Sequence, residues 1–257
     1  IGKRAPTPEE DPEWSLEDAR YSAIVYKPSD IPNASGPHVN DPRSGEIIES
    51  HINWYHNVMS LVRNWYFIQC SPSDPGARKM LFDTELMGQL IRFVSSHEVG
   101  HTLGMRHNFA GTAFYTAKQL RDPEFLRENG HTTSIMDYSR FNFVAQPEDN
   151  IPRELLFPRI SHYDYWCIEW GYRRFPEIDD PIKELPKINS WIIEKTKDPK
   201  FQFGTESSAS DPRLQAEDLG ENQMETNELG IRNLKYVMSN LDEWTKSPNE
   251  GYENLRT

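Results

Sequence analysis

The sequence predicts an α+β fold, and three observations carry that expectation. A β-prone run, YSAIVY at 21–26, lies near the N-terminus and is ended by Pro28. A helix is expected from Asp83 or Thr84, with Glu85 in its first turn and an apolar stripe of Leu86, Leu90 and Val94, flanked by Ile91 and Phe93. A further, amphipathic helix is expected at 228–245.

The 257 residues suffice for one large domain, or a main domain with a satellite, and for a sizeable core. Hydrophobic content of 36% with 12% aromatic residues is that of a globular chain. A formal net charge of −12 argues against a nucleic-acid partner, which needs clustered Lys and Arg. No apolar run approaches the ~18–20 residues of a membrane span, and no signal peptide is visible. The chain begins at Ile1 rather than Met and is read as a piece of a longer protein whose other domains it contacts. Cys70 and Cys167 form no CxxC motif and are either one disulfide or two thiols.

Residues 1–20 are acidic, proline-bearing and read as a lead-in segment. Residues 33–48 read as loop, turn and the start of an extended stretch. Within them Asn33-Ala34-Ser35 matches a glycosylation sequon, a triplet common by chance. Residues 49–69 are aromatic-rich and fit helix or strand, and SPSDPGARK (71–79) is a loop. Further on, WIIEK (191–195) and FQFGT (201–205) are compatible with a hairpin. The 228–245 helix carries an apolar stripe of Ile231, Leu234, Met238 and Leu241. Asp211, Glu217, Asp218 and Glu221 raise calcium, but they fit no EF-hand loop and read as a solvated acidic loop.

The chemistry concentrates in HEVGHTLGMRH, residues 97–107. Continued past Val94, the buried stripe of the helix reaches His97 and His101, which gives both a protected site. Residues i and i+4 on a helix lie ~5–6 Å apart at Cβ, so both imidazoles reach one small cation. Gly104 is placed as a left-handed helix terminator, and the turn it permits returns His107 as a third ligand. Three neutral imidazoles suit zinc and leave a fourth position for water, which is the pattern of a catalytic site. Glu98, turned away from the ligand pair, is free to touch that water. A bare HExxH occurs by chance on ordinary helices; the extension through Gly104 to His107 sets this one apart. His38, His51, His56, His131 and His162 show no ligand spacing and read as ordinary polar or half-buried residues.

With SIMDY at 134–138, HEVGHTLGMRH resembles the metzincin zinc endopeptidases, in which a long zinc motif is followed by a Met-turn. The resemblance makes Met136 the Met-turn methionine beneath the ligand histidines. It matches Tyr138 to the tyrosine that astacins and serralysins place near the metal. ISHYDYWCIEWGY (160–172) resembles the family's C-terminal helix, with a Ser161–Asp164 capping box and Gly171 at its end. DPRSGEI (41–47) and the HNF after the zinc motif are similar to large secreted zinc metallopeptidases of Bacteroidetes-type bacteria. In place of the Asp, Glu or Pro that follows the third His in familiar subfamilies stands Asn108, and no cysteine switch appears upstream.

The resemblance implies a mixed twisted sheet with the long zinc helix in an upper subdomain, and a smaller, mostly irregular and helical lower subdomain. The expected organisation is a lead-in at 1–20, a catalytic domain at 21–175 divided near residue 104, and a C-terminal extension at 176–257. It implies one catalytic Zn2+ on His97, His101 and His107, Glu98 as general base and Tyr138 as oxyanion donor. The substrate would be a peptide lying extended beside an edge strand, for which residues 36–48 are the candidate. Location would be extracytoplasmic in a bacterium. Two alternatives remain at this level: a catalytically idle binding module, and a zinc hydrolase of a non-peptide amide or ester. The presence of Glu98 favours an enzyme.

Overall fold

Ile47–Tyr55 forms β4, the longest strand, and from Glu49 on it alternates between half-buried and buried positions, with Ser50, Ile52 and Trp54 turned into the protein. In this computed structural model, which describes residues 2–206, 210–247 and 251–256, β4 is the centre of a small mixed sheet. It pairs in parallel with β1 (Ala23–Lys27), Ala23 opposite His51. It pairs antiparallel with the short β2 (Ala34–Ser35) and β3 (His38–Asn40). Residues 41–46 are the turn between β3 and β4, closed by Asp41 N–H and Gly45 N–H bonds, so only the start of 36–48 lies at the sheet edge. The aromatic-rich 49–69 stretch is both expected things in turn: strand to Tyr55, then helix.

That helix, α1 (Val58–Cys70), buries Val58, Val62, Tyr66, Phe67 and Cys70, a stripe at helical spacing. It packs against α2 (Thr84–Thr102), whose inward residues are Leu86, Leu90, Phe93, Val94 and His97. Asp83 caps α2 by accepting from Leu86 N–H at 2.8 Å. Leu86 and Leu90 are fully buried, each contributing about 1.5–3 kcal/mol of transfer free energy. Tyr66, Phe141 and Phe157 meet at centroid distances of 4.9–5.8 Å and tie this layer to the irregular region after the zinc motif. That region holds α3 (Pro123–Asn129) and a series of single 3-10 turns, followed by α4 (His162–Tyr172). Cys70 and Cys167 are both free thiols.

Several expectations are corrected. Gly171 lies inside the last turn of α4; the chain leaves through Arg173 in an extended conformation that needs no glycine. WIIEK forms no hairpin but ends α5 (Pro181–Lys195), because Asp180 caps that helix and Pro181 opens it, overriding the β-propensity of Trp191 and its neighbours. FQFGT pairs instead with the residues after His107. Phe109 N–H bonds Gly204 O at 2.7 Å, and the Asn108 side chain bonds both Gln202 O and Gly204 N–H at 3.1 Å.

The next helix, α6 (Gln223–Trp244), turns a different face inward from the one its apolar spacing indicates. Ile231, Leu234 and Met238 are 50%, 45% and 68% exposed, and Leu241 alone of the expected stripe packs on the core. The inward face carries Thr226, Asn233, Val237 and Trp244. Asn233 is held there because its amide donates to Phe143 O and Ala145 O, both at 2.9 Å. A short α7 (Glu253–Arg256) follows. Among the described residues, no helix is long and apolar enough to cross a membrane.

Candidate metal centre and active site

The zinc-motif helix ends where the sequence places its end. Gly104 has φ +87°, Gly104 N–H returns to His101 O at 2.9 Å, and Met105 N–H to Gly100 O at 3.0 Å, the two bonds of a Schellman turn. This reversal brings His107 back over the last turn of α2. The ring nitrogens of His97, His101 and His107 offer one atom each within 4.8 Å of one another. Among the described residues this is the one such group of three or more His, Cys, Asp or Glu side chains.

The tautomers follow from the partners. His97 Nδ1 faces Ile135 O at 2.8 Å, and His101 Nδ1 faces Met105 O at 2.9 Å. A carbonyl only accepts, so both Nδ1 atoms carry the proton and both Nε2 atoms present lone pairs. His107 Nδ1 contacts the Glu206 carboxylate. Its Nε2 lies 3.1 Å from His101 Nε2. The three rings converge closely enough to hold one metal ion, and three imidazoles are a donor set that suits zinc. Burial lowers His97 to about 3, with its Ile135 bond opposing, and lowers His101 as well, so both are neutral at pH 7.

Met136 is fully buried, with its sulfur against Gly100 of α2. A Cβ on Gly100 would come within 2.2 Å of the Met136 sulfur, so the glycine of HEVGH makes room for the Met-turn. Asp164, at the first turn of α4, pins that turn. It accepts from Ser134 Oγ at 2.6 Å and Ile135 N–H at 2.8 Å, and from Ser161 N–H at 2.9 Å. Burial raises the Asp164 carboxyl to about 6 while these bonds hold it down. Replacing Asp164 with Ala strands three buried donors at about 1–3 kcal/mol each. Urea denaturation is expected to show a loss of about 3 kcal/mol or more; a loss below about 1 kcal/mol would mean Asp164 is not holding the turn.

Glu98 is 6% exposed, and burial pushes its carboxyl up to about 7. Its Oε2 has no hydrogen-bond partner among the described residues. The backbone of Gly36 passes so close that a Cβ there would lie 2.4 Å from Glu98 O. Tyr138 packs its ring 4.4 Å from that of His107 and 5.6 Å from that of His97. Arg140 lies over the Tyr138 ring at 4.6 Å and over Trp65 at 3.9 Å, with its charge paired to Glu217 at 2.8 Å.

These groups line a cleft of about 650 Å³, bordered by Ser35, Gly36 and His38 of the sheet edge and by Glu206. A second cavity of about 160 Å³, walled by Leu61, Trp65, Phe93 and Val94, lies beside Glu98 and Tyr138.

Sequence spacing places His97, His101, His107, Glu98 and Gly104 together, the family resemblance adds Met136 and Tyr138, and the structure brings these residues close to one another. It misses Glu206, Asp164 and Gly100, for which spacing carries no signal. The four acids considered for calcium do not converge. Asp211 pairs with Arg213, Glu217 with Arg140, and Asp218 is buried against Thr112 and Gln223, while Glu221 is exposed.

A helix carrying two of three converging histidines, a glycine reversal and a buried methionine turn define a zinc metallopeptidase-like domain. Residues 79–257 match the family model described as Met-zincin, and the chain belongs to that family. No curated protein and no solved structure matches it. The family implies zinc, and the histidine cluster suits it.

Proposed function

We propose that this chain is a zinc-dependent endopeptidase with one catalytic zinc on His97, His101 and His107. The observation that carries the reading is Glu98, whose Oε2 has no hydrogen-bond partner among the described residues and which lines an open cleft beside three converging imidazoles. Zinc, when bound, supplies a water whose pKa falls from ~15.7 to around 7 and a Lewis acid for the scissile carbonyl. Glu98 takes the proton of the attacking water and hands it to the leaving amine. Tyr138 donates a hydrogen bond to the developing oxyanion. The peptide lies extended against the 34–40 edge. The side chain following the scissile bond enters the cavity at Leu61, Trp65 and Phe93, which favours a medium-sized apolar residue.

We place the enzyme outside the bacterial cytoplasm, following the exported proteins it resembles. Exposed Ile182, Leu185 and Ile193 on α5 support a contact with further domains of a parent protein. Metal analysis with a peptide-library cleavage assay tests the whole reading. One zinc per chain and cleavage before an apolar residue support it. Zinc without peptide cleavage points to the binding module, and cleavage of only non-peptide amides or esters to the other hydrolase.

The Tyr138 role has its own test. A donor that acts only on the oxyanion contributes in the transition state, so Tyr138→Phe is expected to lower kcat and kcat/KM together with KM nearly unchanged. Loss of one such donor costs ~10²–10³ in rate, about 2.7–4 kcal/mol. A kcat within about threefold of wild type would make Tyr138 a packing residue of the turn.

A further inference from the structure

The three histidines are not held alike. His97 and His101 give their Nδ1 protons to main-chain carbonyls of the Met-turn and of the turn after α2. His107 lies past that turn, and its Nδ1 partner is a side chain 99 residues further along the chain, the carboxylate of Glu206. Among the described residues no main-chain carbonyl bonds the His107 ring, and an unheld imidazole is free to carry its proton on Nε2 instead of Nδ1.

The delivery of Glu206 is built into the fold. Asn108, directly after His107, is fully buried. Its amide donates to Gln202 O and its Oδ1 accepts from Gly204 N–H, while Phe109 N–H bonds Gly204 O. These three bonds lock residues 202–204 alongside 108–109 and leave Glu206 beside the His107 ring. The Thr205 hydroxyl contacts Glu206 Oε2, and the Arg106 guanidinium lies 3.8 Å from the same oxygen. The carboxylate is therefore oriented by a hydroxyl on one oxygen while the other faces the imidazole.

We propose that Glu206 is the positioning residue of His107: its carboxylate holds the proton on Nδ1, aims Nε2 into the centre and strengthens it as a zinc ligand. This rests on the proposed zinc site. A carboxylate behind a ligand histidine raises its basicity, and losing such a partner costs ~10–100-fold in metal affinity. The role also accounts for Asn108 in place of an acidic residue: the residue after the third histidine docks the segment that supplies the acid.

Zinc titration of the full chain against a chromophoric chelator at pH 7.5, with imidazole 15N NMR of the metal-free protein, tests it. Wild type is expected to show His107 protonated at Nδ1. Glu206→Ala is expected to bind zinc ~10–100-fold more weakly and to show a mixture of His107 tautomers, with His97 and His101 unchanged. Glu206→Gln, which keeps a neutral acceptor, is expected to hold the tautomer and recover part of the affinity. Unaltered far-ultraviolet circular dichroism in both variants separates this from misfolding. Affinity within about threefold of wild type in Glu206→Ala, with one tautomer retained, overturns the proposal. So does a gain of peptidase activity in that variant, which would make Glu206 an obstruction in the cleft. Failure of wild type itself to bind zinc would instead overturn the zinc reading, and the NMR result would then stand apart from it.

Discussion

Alanine in place of His97, His101 or His107 is expected to abolish peptide hydrolysis and to leave the purified chain with little zinc. On the proposed site each imidazole is one of three protein donors, and none of the described His, Cys, Asp or Glu side chains joins the cluster as a replacement. The loss in zinc affinity should therefore exceed the ~10–100-fold that removal of an outer partner costs. The three variants should differ in stability. His97 is almost fully buried and bonds Ile135 O, so His97→Ala opens a cavity and strands that carbonyl of the Met-turn. His107 is more accessible and its variant should melt closest to metal-free wild type. Zinc by elemental analysis, alongside calorimetry with and without added metal, reads both effects. Full zinc occupancy in all three variants would remove the ligand assignment.

The zinc helix was legible because every local signal agrees along it. Asp83 supplies a cap, Leu86, Leu90 and Val94 run into His97 at one spacing, and Gly104 supplies the one residue that adopts positive φ without strain. SIMDY was legible as a motif, although what holds that segment in place was not. Asp164 is visible in sequence only as a helix cap; that the same carboxylate also holds Ser134 and Ile135 depends on where α4 docks.

Elsewhere the local signal points the wrong way for a physical reason. The inward face of α6 includes Thr226, Gly230 and Asn233, so apolar periodicity selects the outward face. Asn233 is inside because it satisfies two carbonyls of the 143–145 loop, and no hydropathy pattern encodes that. Trp191 and Ile192 favour strand by propensity, yet a cap and proline ten residues upstream commit them to helix. Glu206 is the extreme case. Its partner is 99 residues distant, and only the pairing of 202–204 with 108–109 joins them.

Glu98→Gln is expected to keep the fold and the zinc while losing nearly all hydrolysis. The amide has the shape of the carboxylate and sits one residue from His97 without sharing its face, so the ligand set is undisturbed. What it loses is the ability to take a proton, and general acid–base catalysis of this kind contributes ~10²–10⁴ in rate, about 2.7–5.4 kcal/mol. The deficit should fall on kcat rather than KM, because the proton moves only in the transition state. Stability separates this from damage to the site. Burial raises the Glu98 carboxyl to about 7 in the metal-free protein, above its ordinary value near 4.5. An acid shifted upward disfavours the folded state once it ionises, so the cost is present above pH 7 and is relieved as pH falls toward 4.5. A neutral amide never incurs it. Metal-free Glu98→Gln should therefore melt at or above the wild-type temperature at pH 8, and the difference should shrink at pH 5. Wild-type-like kcat in a zinc-loaded Glu98→Gln enzyme would show that the proton goes elsewhere. A melting temperature several degrees lower at pH 8 would show that the carboxylate is held by partners the folded state needs.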